Sequence, residues 1–284
     1  MKIALTGATG FVGRHVLDEL THRGLTATLL LRPSTRLPDA WAGHDVVRFD
    51  LGDSSGRDFA AAGRPDVLIH LAWGGLPNYS SPHHVEQELP AHLGWLEGMV
   101  GAGLPNLVVA GTCFEYGMQS GLLGEDLRTQ PANGYGSAKD QLRRQLEALR
   151  DTLPDPARFA LTWARLFYMH GEGQSPNALW PQLRSAVARG DAAFAMSGGE
   201  QLRDYLNVTE VARRLVDLAL VGRGVGVVNV CSGQPVSVRA LVESWITAND
   251  WRIAPDYGRH PYSEHEPMAF WGDASKLERL VGVR

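Results

Sequence analysis

Short, nearly continuous apolar runs alternate with helix-like segments over the first two-thirds of the chain. Apolar residues that follow one another without alternation are typical of strands covered on both faces. Such runs occupy residues 2–5, 26–31, 46–49, 67–70, 107–110 and 159–164. Residues 11–23, 89–102 and 136–150 have the apolar spacing of helices. This order predicts an α/β fold with a parallel sheet and covering helices.

The pattern changes after residue 165. Residues 179–189, 208–221 and 238–249 look helical and are separated by loops with glycine and proline, while one further β-type run spans 226–230. We therefore predict a dinucleotide-binding domain over residues 1–165, to which residues 204–232 partly return. A smaller, C-terminal substrate domain is predicted over residues 166–203 and 233–284.

A glycine-rich loop joins the first predicted strand to the first predicted helix. Its glycines are Gly7, Gly10 and Gly13. Glycines in this setting permit a tight turn, close approach of a pyrophosphate, and close packing of helix on strand. The helix N-terminus adds unpaired N–H groups for the anion. The loop predicts a Rossmann-type doubly wound sheet that binds a dinucleotide, with Thr9, Phe11 and Val12 also at the cofactor.

The residues after the second predicted strand indicate which dinucleotide is bound. NAD-binding folds usually carry an acid there for the ribose hydroxyls, but this strand is followed by Arg32 and Arg36. A guanidinium is suited to a 2′-phosphate. NADP(H) is therefore the preferred prediction, and NAD(H) remains possible because both arginines could be solvated loop residues. Asp50, after the third strand, is a predicted partner of the adenine amino group.

Tyr135 and Lys139 are separated by four positions at the start of a predicted helix. This spacing places the phenol and the ammonium on one helix face. A nearby ammonium favours phenolate, so we expect a lowered pKa for Tyr135 and a role in proton transfer.

These motifs together resemble the extended short-chain dehydrogenase/reductase family, in its nucleotide-sugar epimerase, dehydratase and reductase branch. The resemblance continues in QLRDYLNV at 201–208 and VVNVCSG at 227–233, so it covers nearly the whole chain. It implies a catalytic set of Thr112, Tyr135 and Lys139, because the family's Ser or Thr stands five residues before the glycine of a Tyr-Gly pair, here Gly117. It also implies a homodimer joined by the helices at 89–102 and 136–150.

The resemblance further assigns residues to ligands. Leu51, Leu71 and Ala72 are expected at the cofactor, beside Tyr135 and Lys139. The predicted substrate residues are Trp73, Thr112, Tyr135, Asn177 and Arg203. Asn177 and Arg203 would contact the diphosphate of a nucleotide sugar, although Arg203 could instead form a structural salt bridge with Asp204 or another acid. Trp73 could line the sugar pocket or cap the core.

The turn at 110–117, AGTCFEYG, distinguishes among the reactions of this branch. Dehydratases of the branch resemble Thr-Asp-Glu here, whereas this chain has Cys113 and Phe114, and Glu115 should point elsewhere. The leading hypothesis is an NADP(H)-dependent oxidoreductase that reduces a nucleotide-linked 4-keto-6-deoxy sugar to the 4-hydroxy sugar. An NAD-dependent nucleotide-sugar 4-epimerase needs the same three residues and stays open. A non-catalytic, dinucleotide-sensing regulator is a remote alternative, since such proteins typically lose the Tyr–Lys pair.

Composition excludes several other classes of function. The net charge is −4 and the pI about 6.2, so there is no basic patch for nucleic acid. The two cysteines lack a CxxC spacing, and no cluster of metal-binding side chains is evident, so neither a disulfide scaffold nor a metal site is expected. No signal peptide or membrane span is recognised. A cytoplasmic enzyme is expected.

Overall fold

A computed structural model describes residues 1–36, 38, 41, 43–53, 55–155, 158–263 and 266–282 of the chain. The strands are β1 (Ile3–Thr6), β2 (Ala27–Leu31), β3 (Val46–Arg48), β4 (Val67–His70), β5 (Asn106–Thr112), β6 (Gly121–Leu123), β7 (Ala160–Leu166), β8 (Tyr168–His170), β9 (Ala193–Ala195), β10 (Leu202–Asn207), β11 (Gly226–Val230), β12 (Pro235–Ser237), β13 (Ala254–Asp256) and β14 (Phe270–Gly272). The α-helices are α1 (Phe11–His22), α2 (Arg57–Ala61), α3 (Leu89–Gly101), α4 (Gly134–Thr152), α5 (Leu179–Arg189), α6 (Val208–Leu220), α7 (Val238–Ala248) and α8 (Ser275–Val281).

The centre of the molecule is a seven-stranded sheet in the order β11-β7-β5-β4-β1-β2-β3. Every neighbouring pair in it is parallel. All seven strands were predicted from their apolar runs, because strands covered on both faces need apolar residues on both sides.

Helices cover both faces of this sheet. On one face α1, α6 and α8 place Leu17, Leu215 and Leu277 in a core with the strands. On the other face α2, α3 and α4 contribute a second core that includes Trp95 and Leu142. The predicted Rossmann-type, doubly wound α/β fold is confirmed.

The direction of strand order reverses between β1 and β4. From β1 the chain builds outward to β2 and β3, and then crosses to the other side to form β4, β5 and β7. In open parallel sheets a ligand binds beyond the carboxyl ends of the strands at such a reversal. The loops after β1, β4 and β5 are therefore the ones expected to surround the site.

A smaller body lies beyond the sheet. Its separate apolar cluster is formed around Leu183, Val242 and Trp245, from α5 and α7. Short strands add the sheets β12-β10-β8, β13-β9 and β14-β6. The domain limits at residues 165, 203 and 233 stay a prediction, which this separate cluster supports.

Several short elements were not predicted. They include α2, α8, a single π-helical turn at His84–Glu88 and a 3₁₀ turn at Cys113–Tyr116. Such elements are too short to show a periodic pattern. Among the residues that the structure describes, no helix has the length and apolar character needed to cross a membrane.

Candidate active site

The loop after β1 forms a cradle that only glycine can line. Gly7 has φ +73°, and a Cβ there would lie 2.7 Å from the backbone nitrogen of Ala72. A Cβ on Gly13 would overlap the Gly7 carbonyl oxygen. Gly10 caps α1 in an extended conformation without a side-chain hydrogen bond, so the first N–H groups of the helix remain available to an anion. These features fit the pyrophosphate of a dinucleotide.

The other predicted cofactor residues lie around this cradle. Thr9, Phe11 and Val12 are half-buried in the loop and the first turn of α1. After β4, the backbone N–H groups of Leu71 and Ala72 donate to the Thr6 hydroxyl over 3.2 and 3.3 Å. These two hydrogen bonds connect the loop after β4 to the end of β1, and the loop closes one side of the cradle.

The residues predicted to select the cofactor lie at the ends of β2 and β3. Arg32 and Arg36 are exposed, and within the part of the chain described here neither side chain has a hydrogen-bond or ion-pair partner. Asp50 is also exposed, and its Oδ1 accepts a hydrogen bond from the Gly52 nitrogen. Leu51 packs partly against the core. The two guanidinium groups are thus free to bind phosphate oxygens.

Thr112, Tyr135 and Lys139 are brought together as predicted. Thr112 ends β5, and the other two residues lie in the first two turns of α4. The Thr112 Oγ1 accepts a hydrogen bond from the Phe114 nitrogen over 3.3 Å, and its own proton can be donated to the Tyr135 oxygen or to a ligand beside it. The Lys139 Nζ lies 6.0 Å from the centre of the Tyr135 ring.

The expected lowering of the Tyr135 pKa by Lys139 is wrong. Burial raises the pKa of the phenol, the neighbouring Tyr79 and Glu115 raise it further, and hydrogen bonding from the Thr112 side chain opposes only part of the rise. The physical reason is that Tyr135 packs against the rings of Trp73, Tyr79 and His84, and this partial burial disfavours phenolate. Tyr135 is therefore a protonated phenol, which is the form that donates a proton.

Lys139 is almost completely buried, with 1% of its surface exposed. Its Nζ donates to the Ala110 carbonyl oxygen over 2.9 Å. Burial lowers the pKa of Lys139 to about 7, although the charges of Glu115 and Glu88 raise it. The amine is thus held close to its titration point near neutral pH.

Glu115 is a residue of the site that sequence reasoning missed. It is fully buried, and its Oε1 accepts hydrogen bonds from the Thr112 nitrogen over 2.9 Å and the Trp163 Nε1 over 2.8 Å. Its Oε2 accepts from the Arg165 Nε over 2.8 Å. Glu115 thereby fixes the backbone of Thr112. The sequence contained one sign of this role, the spacing of a capping box.

The predicted diphosphate residues lie in different surroundings. Asn177 is exposed and lines a cavity of about 500 Å³ together with Gln182, Arg189 and Phe194. Arg203 is buried, and its Nη2 pairs with Glu266 over 3.0 Å.

Arg203 therefore forms a structural salt bridge, which was the alternative that the sequence left open. Its partner is Glu266 and not Asp204, because Asp204 accepts hydrogen bonds from Ser232, Gly233 and Gly272. A role for Arg203 and Asn177 at the diphosphate stays a prediction.

Trp73 follows β4 and lies beside Tyr135 and Lys139. Its ring centre lies 6.0 Å from that of Tyr135 and 3.9 Å from the Lys139 Nζ. It stacks on His92 and donates its indole N–H to His84 over 3.1 Å. Sequence reasoning missed both histidines; the spacing of Glu88 and His92, four residues apart on one helix face, was the only local sign of their grouping.

Comparison with known proteins identifies the family. The family described as "NAD dependent epimerase/dehydratase family" matches residues 3–231. The dTDP-6-deoxy-L-talose 4-dehydrogenase (NAD(+)) of Aggregatibacter actinomycetemcomitans is 28% identical over 96% of this chain and 99% of its own length. The UDP-glucose 4-epimerase of Erwinia amylovora is 24% identical over 100% of this chain and 93% of its own.

A solved structure is similar over the whole chain. The protein MoeE5, in complex with UDP-glucuronic acid and NAD, has a TM-score of 0.81 and 27% sequence identity. The match covers 99% of this chain and 93% of that one.

Proposed function

This chain belongs to the NAD dependent epimerase/dehydratase family, and on that premise we propose that it is an NADP(H)-dependent oxidoreductase of nucleotide sugars. It would reduce the ketone of a nucleotide-linked 4-keto-6-deoxy sugar to the 4-hydroxy sugar. The observation that carries this proposal is the convergence of Thr112, at the end of β5, with Tyr135 and Lys139 of α4. The neighbouring turn at Cys113–Tyr116 holds no second acid–base pair. The name of the relative from Aggregatibacter, a 4-dehydrogenase of a dTDP-linked 6-deoxy sugar, supports the substrate class.

The residues present fit a nicotinamide dinucleotide. The cradle of Gly7, Gly10 and Gly13 would hold the pyrophosphate at the N-terminus of α1. When bound, such a cofactor supplies the hydride for ketone reduction. Arg32 and Arg36 favour the 2′-phosphate of NADP(H), whereas the names of the relatives specify NAD. Both dinucleotides therefore belong in the first assay.

The three side chains of the catalytic set would have different roles in the reduction of the ketone. The Thr112 hydroxyl would donate a hydrogen bond to the carbonyl oxygen, since its lone pair already accepts from the Phe114 nitrogen. Tyr135, a phenol with a raised pKa, would donate its proton to the same oxygen as negative charge develops there. Lys139 would hold the nicotinamide ribose, and its bond to the Ala110 carbonyl fixes its position.

Dehydration is disfavoured by the chemistry of the turn. Burial raises the pKa of the Cys113 thiol, so this residue is neither an acid nor a base near pH 7. Glu115 already accepts hydrogen bonds from Thr112, Trp163 and Arg165, and it is fully buried. No carboxylate in the turn is left to remove a sugar proton.

The cavity beside Asn177 is the proposed place for the nucleotide. Its lining includes Asn177 and Arg189. The Arg189 guanidinium pairs with Asp191 at the same cavity, and a phosphate would replace that carboxylate as its partner. Its volume of about 500 Å³ falls in the range of small-molecule sites.

The decisive experiment follows the oxidation of NADPH and NADH by the purified protein. dTDP-, GDP- and CDP-linked 4-keto-6-deoxy sugars are generated in the same tube and offered separately. Consumption of one cofactor with one of the sugars would support the reductase and identify its nucleotide. If neither cofactor is consumed with any of them, the proposal fails.

A phenylalanine in place of Tyr135 tests the assigned acid. Tyr135→Phe removes the proton but keeps the ring, so we expect kcat to fall by about 10²–10³-fold while cofactor affinity changes by less than about twofold. Tyr257→Phe is the matched control, since Tyr257 bonds to Glu243 in the smaller body. Unchanged turnover in Tyr135→Phe would remove Tyr135 from the mechanism.

A nucleotide-sugar 4-epimerase is the second candidate, favoured by the relative from Erwinia amylovora. It would oxidise and then reduce the same carbon with the same three residues. NAD that remains in the protein after purification, together with interconversion of UDP-hexoses without added cofactor, would favour the epimerase over the reductase.

A further inference from the structure

The environment of Lys139 contains a contact that the mechanism above does not use. The Lys139 Nζ lies 3.9 Å from the centre of the Trp73 ring. The His92 ring stacks on the same indole, with centres 4.5 Å apart and planes inclined by 14°. Trp73 thus contacts an ammonium and an imidazole, and each of these is buried.

A network of hydrogen bonds fixes the indole. The Trp73 Nε1 donates to the Nδ1 of His84, and the Nε2 of His84 donates to the Asn78 carbonyl oxygen over 2.8 Å. This pairing defines the tautomer of His84, because one ring nitrogen must accept and the other must donate. The orientation of the Trp73 ring is therefore determined by the loop after β4 and the π-helical turn together.

The imidazole against Trp73 is fixed in the same way. Glu88 is an acceptor, so the Nε2 of His92 carries the proton and donates to Glu88 over 3.1 Å. The Nδ1 of His92 then accepts from the Nε2 of His70 over 2.8 Å. Burial favours the acid form of Glu88, but hydrogen bonds from His92, the Gly74 nitrogen and His83 lower its pKa to about 2. A permanent carboxylate therefore ends the chain of histidines.

Lys139 depends on this arrangement because it has few other partners. A lysine ammonium has three donors, and within the described residues its hydrogen bond is the one to Ala110. The face of an indole attracts a cation more strongly than the face of phenylalanine, and the attraction grows when water is excluded.

We propose that Trp73 is the positioning residue of Lys139, with His84 and His92 holding the indole in place and Glu88 fixing His92. This inference rests on the proposed function, in which Lys139 holds the nicotinamide ribose. Trp73 then acts on the cofactor side of the site rather than on the sugar, where sequence analysis placed it. It is a positioning residue, because it acts through Lys139.

Two substitutions of Trp73 separate this role from packing. Trp73→Leu removes the aromatic face, and Trp73→Phe keeps a weaker one. We expect Trp73→Leu to weaken dinucleotide binding about tenfold and to lower kcat at least as much, while the KM for the sugar stays within about twofold. Trp73→Phe should recover most of the loss. Trp251→Leu, in the cluster of the smaller body, is the control and should leave all three constants unchanged.

Dinucleotide affinity is measured by fluorescence titration without any sugar, so this test stands even if no offered sugar is turned over. A raised KM for the sugar with unchanged dinucleotide affinity would overturn the proposal in favour of a substrate residue. Equal losses in Trp73→Leu and Trp73→Phe would overturn it in favour of packing alone.

The role of the Glu88 carboxylate is tested by the pH dependence of the reaction. Lys139 faces titratable or charged groups on every element around it: Glu88 in the π-helical turn, Glu115 in the 3₁₀ turn, His70 on β4, His92 on α3 and Tyr135 on α4. The negative charge of Glu88 raises the pKa of Lys139. Glu88→Gln should therefore move the pH dependence of kcat/KM for the dinucleotide to lower pH.

Glu97→Gln, an exposed residue of α3, is the matched control and should leave the profile in place. A profile that does not move in Glu88→Gln would overturn the link from Glu88 to Lys139.

Discussion

Lys139, a residue of the proposed catalytic set, lowers the stability of the fold through the burial of its charge. The parallel sheet and α4 enclose its side chain almost completely, and burial lowers its pKa to about 7. The unfolded chain keeps the lysine protonated up to about pH 10.5. The native state therefore binds fewer protons between these values, and wild-type stability should rise with pH across this interval.

Replacing Lys139 by methionine should abolish turnover and stabilise the protein. Substitution of a buried charge by an apolar side chain of similar volume is neutral or favourable, so we expect a gain of about 1 kcal/mol in the free energy of unfolding. The gain should be largest below pH 7, where the native lysine is charged, and should shrink as the pH rises toward 10.5.

Thermal unfolding of the wild type and of Lys139→Met at pH 6 and pH 9 measures the gain in stability and its dependence on pH. Lys276→Met is the control, because the Lys276 amine is only half-buried and also donates to a carbonyl, that of Val227. A lower melting temperature for Lys139→Met at pH 6 would contradict the expectation.

At the residue scale, the sequence predicted the contacts that depend on the spacing of neighbouring residues. Tyr135 and Lys139 are neighbours on one helix, so their pairing follows from the helical repeat. Glu115 was expected to point away from the chemistry, and its bonds to Trp163 and Arg165 depend on β7, about fifty residues later. The raised pKa of Tyr135 was missed for the same reason, since burial is a property of the folded chain.

Among the elements, α4 connects stability to chemistry most directly. Its N-cap is Asn133, whose side chain accepts a hydrogen bond from the Gly136 nitrogen over 2.8 Å. Gly136 has no room for a side chain, because a Cβ would lie 2.7 Å from the Phe114 carbonyl oxygen. The first turn, which carries Tyr135, is thus held tightly against the turn that follows β5.

Removal of this cap should affect both stability and rate. Asn133→Ala leaves an N–H group of α4 without its partner, so we expect a loss of about 1 kcal/mol in unfolding free energy. Because Tyr135 lies in the same turn, kcat should fall about tenfold, and Asn133→Ser should restore both.

Ser237→Ala is the matched control, since Ser237 caps α7 through the Ala240 nitrogen. It should lose similar stability in urea unfolding and keep its kcat. Equal effects of the two variants on kcat would show that the cap of α4 has no special link to the phenol.

The long elements could be predicted from the sequence, and the short ones could not. The six longer helices α1, α3, α4, α5, α6 and α7 have periodic apolar patterns, and the seven strands of the central sheet have apolar runs, of which that of β3 covers three residues. Strands such as β8, β12 and β14 have three residues each and exist because distant segments pair with them. Their positions follow from tertiary contacts that no local pattern contains.

For the whole molecule, Asp204 joins segments that are far apart in the chain. It is fully buried at β10, and its Oδ1 accepts from the Ser232 nitrogen over 2.6 Å. Its Oδ2 accepts from the Gly233 nitrogen over 2.9 Å and the Gly272 nitrogen over 3.3 Å. The loop after β11, the sheet of β10 and the strand β14 therefore meet at one carboxylate.

Asp204→Ala should destabilise the protein severely. It leaves the half-buried donors of Ser232 and Gly233 and the buried donor of Gly272 without an acceptor, so we expect a loss of about 3 kcal/mol in unfolding free energy. Asp18→Ala, on the exposed side of α1, is the control and should change stability by less than about 0.5 kcal/mol. The urea midpoints of the two variants measure both changes, and near-equal midpoints would contradict this role of Asp204.

The homodimer that was expected to form through α3 and α4 stays a prediction for the whole molecule.

The π-helical turn at His84–Glu88 has a consequence for insertions and deletions. A π turn contains one residue more than an α turn, and each residue of a helix adds about 100° of rotation. Deleting one residue here would convert the turn to α geometry and leave α3, with His92, where it is. His84 would stay on the side of the Trp73 indole, because an α turn closes over four residues where the π turn closes over five. We therefore expect relatives one residue shorter at this point to have an ordinary α-helical turn and to keep that bond.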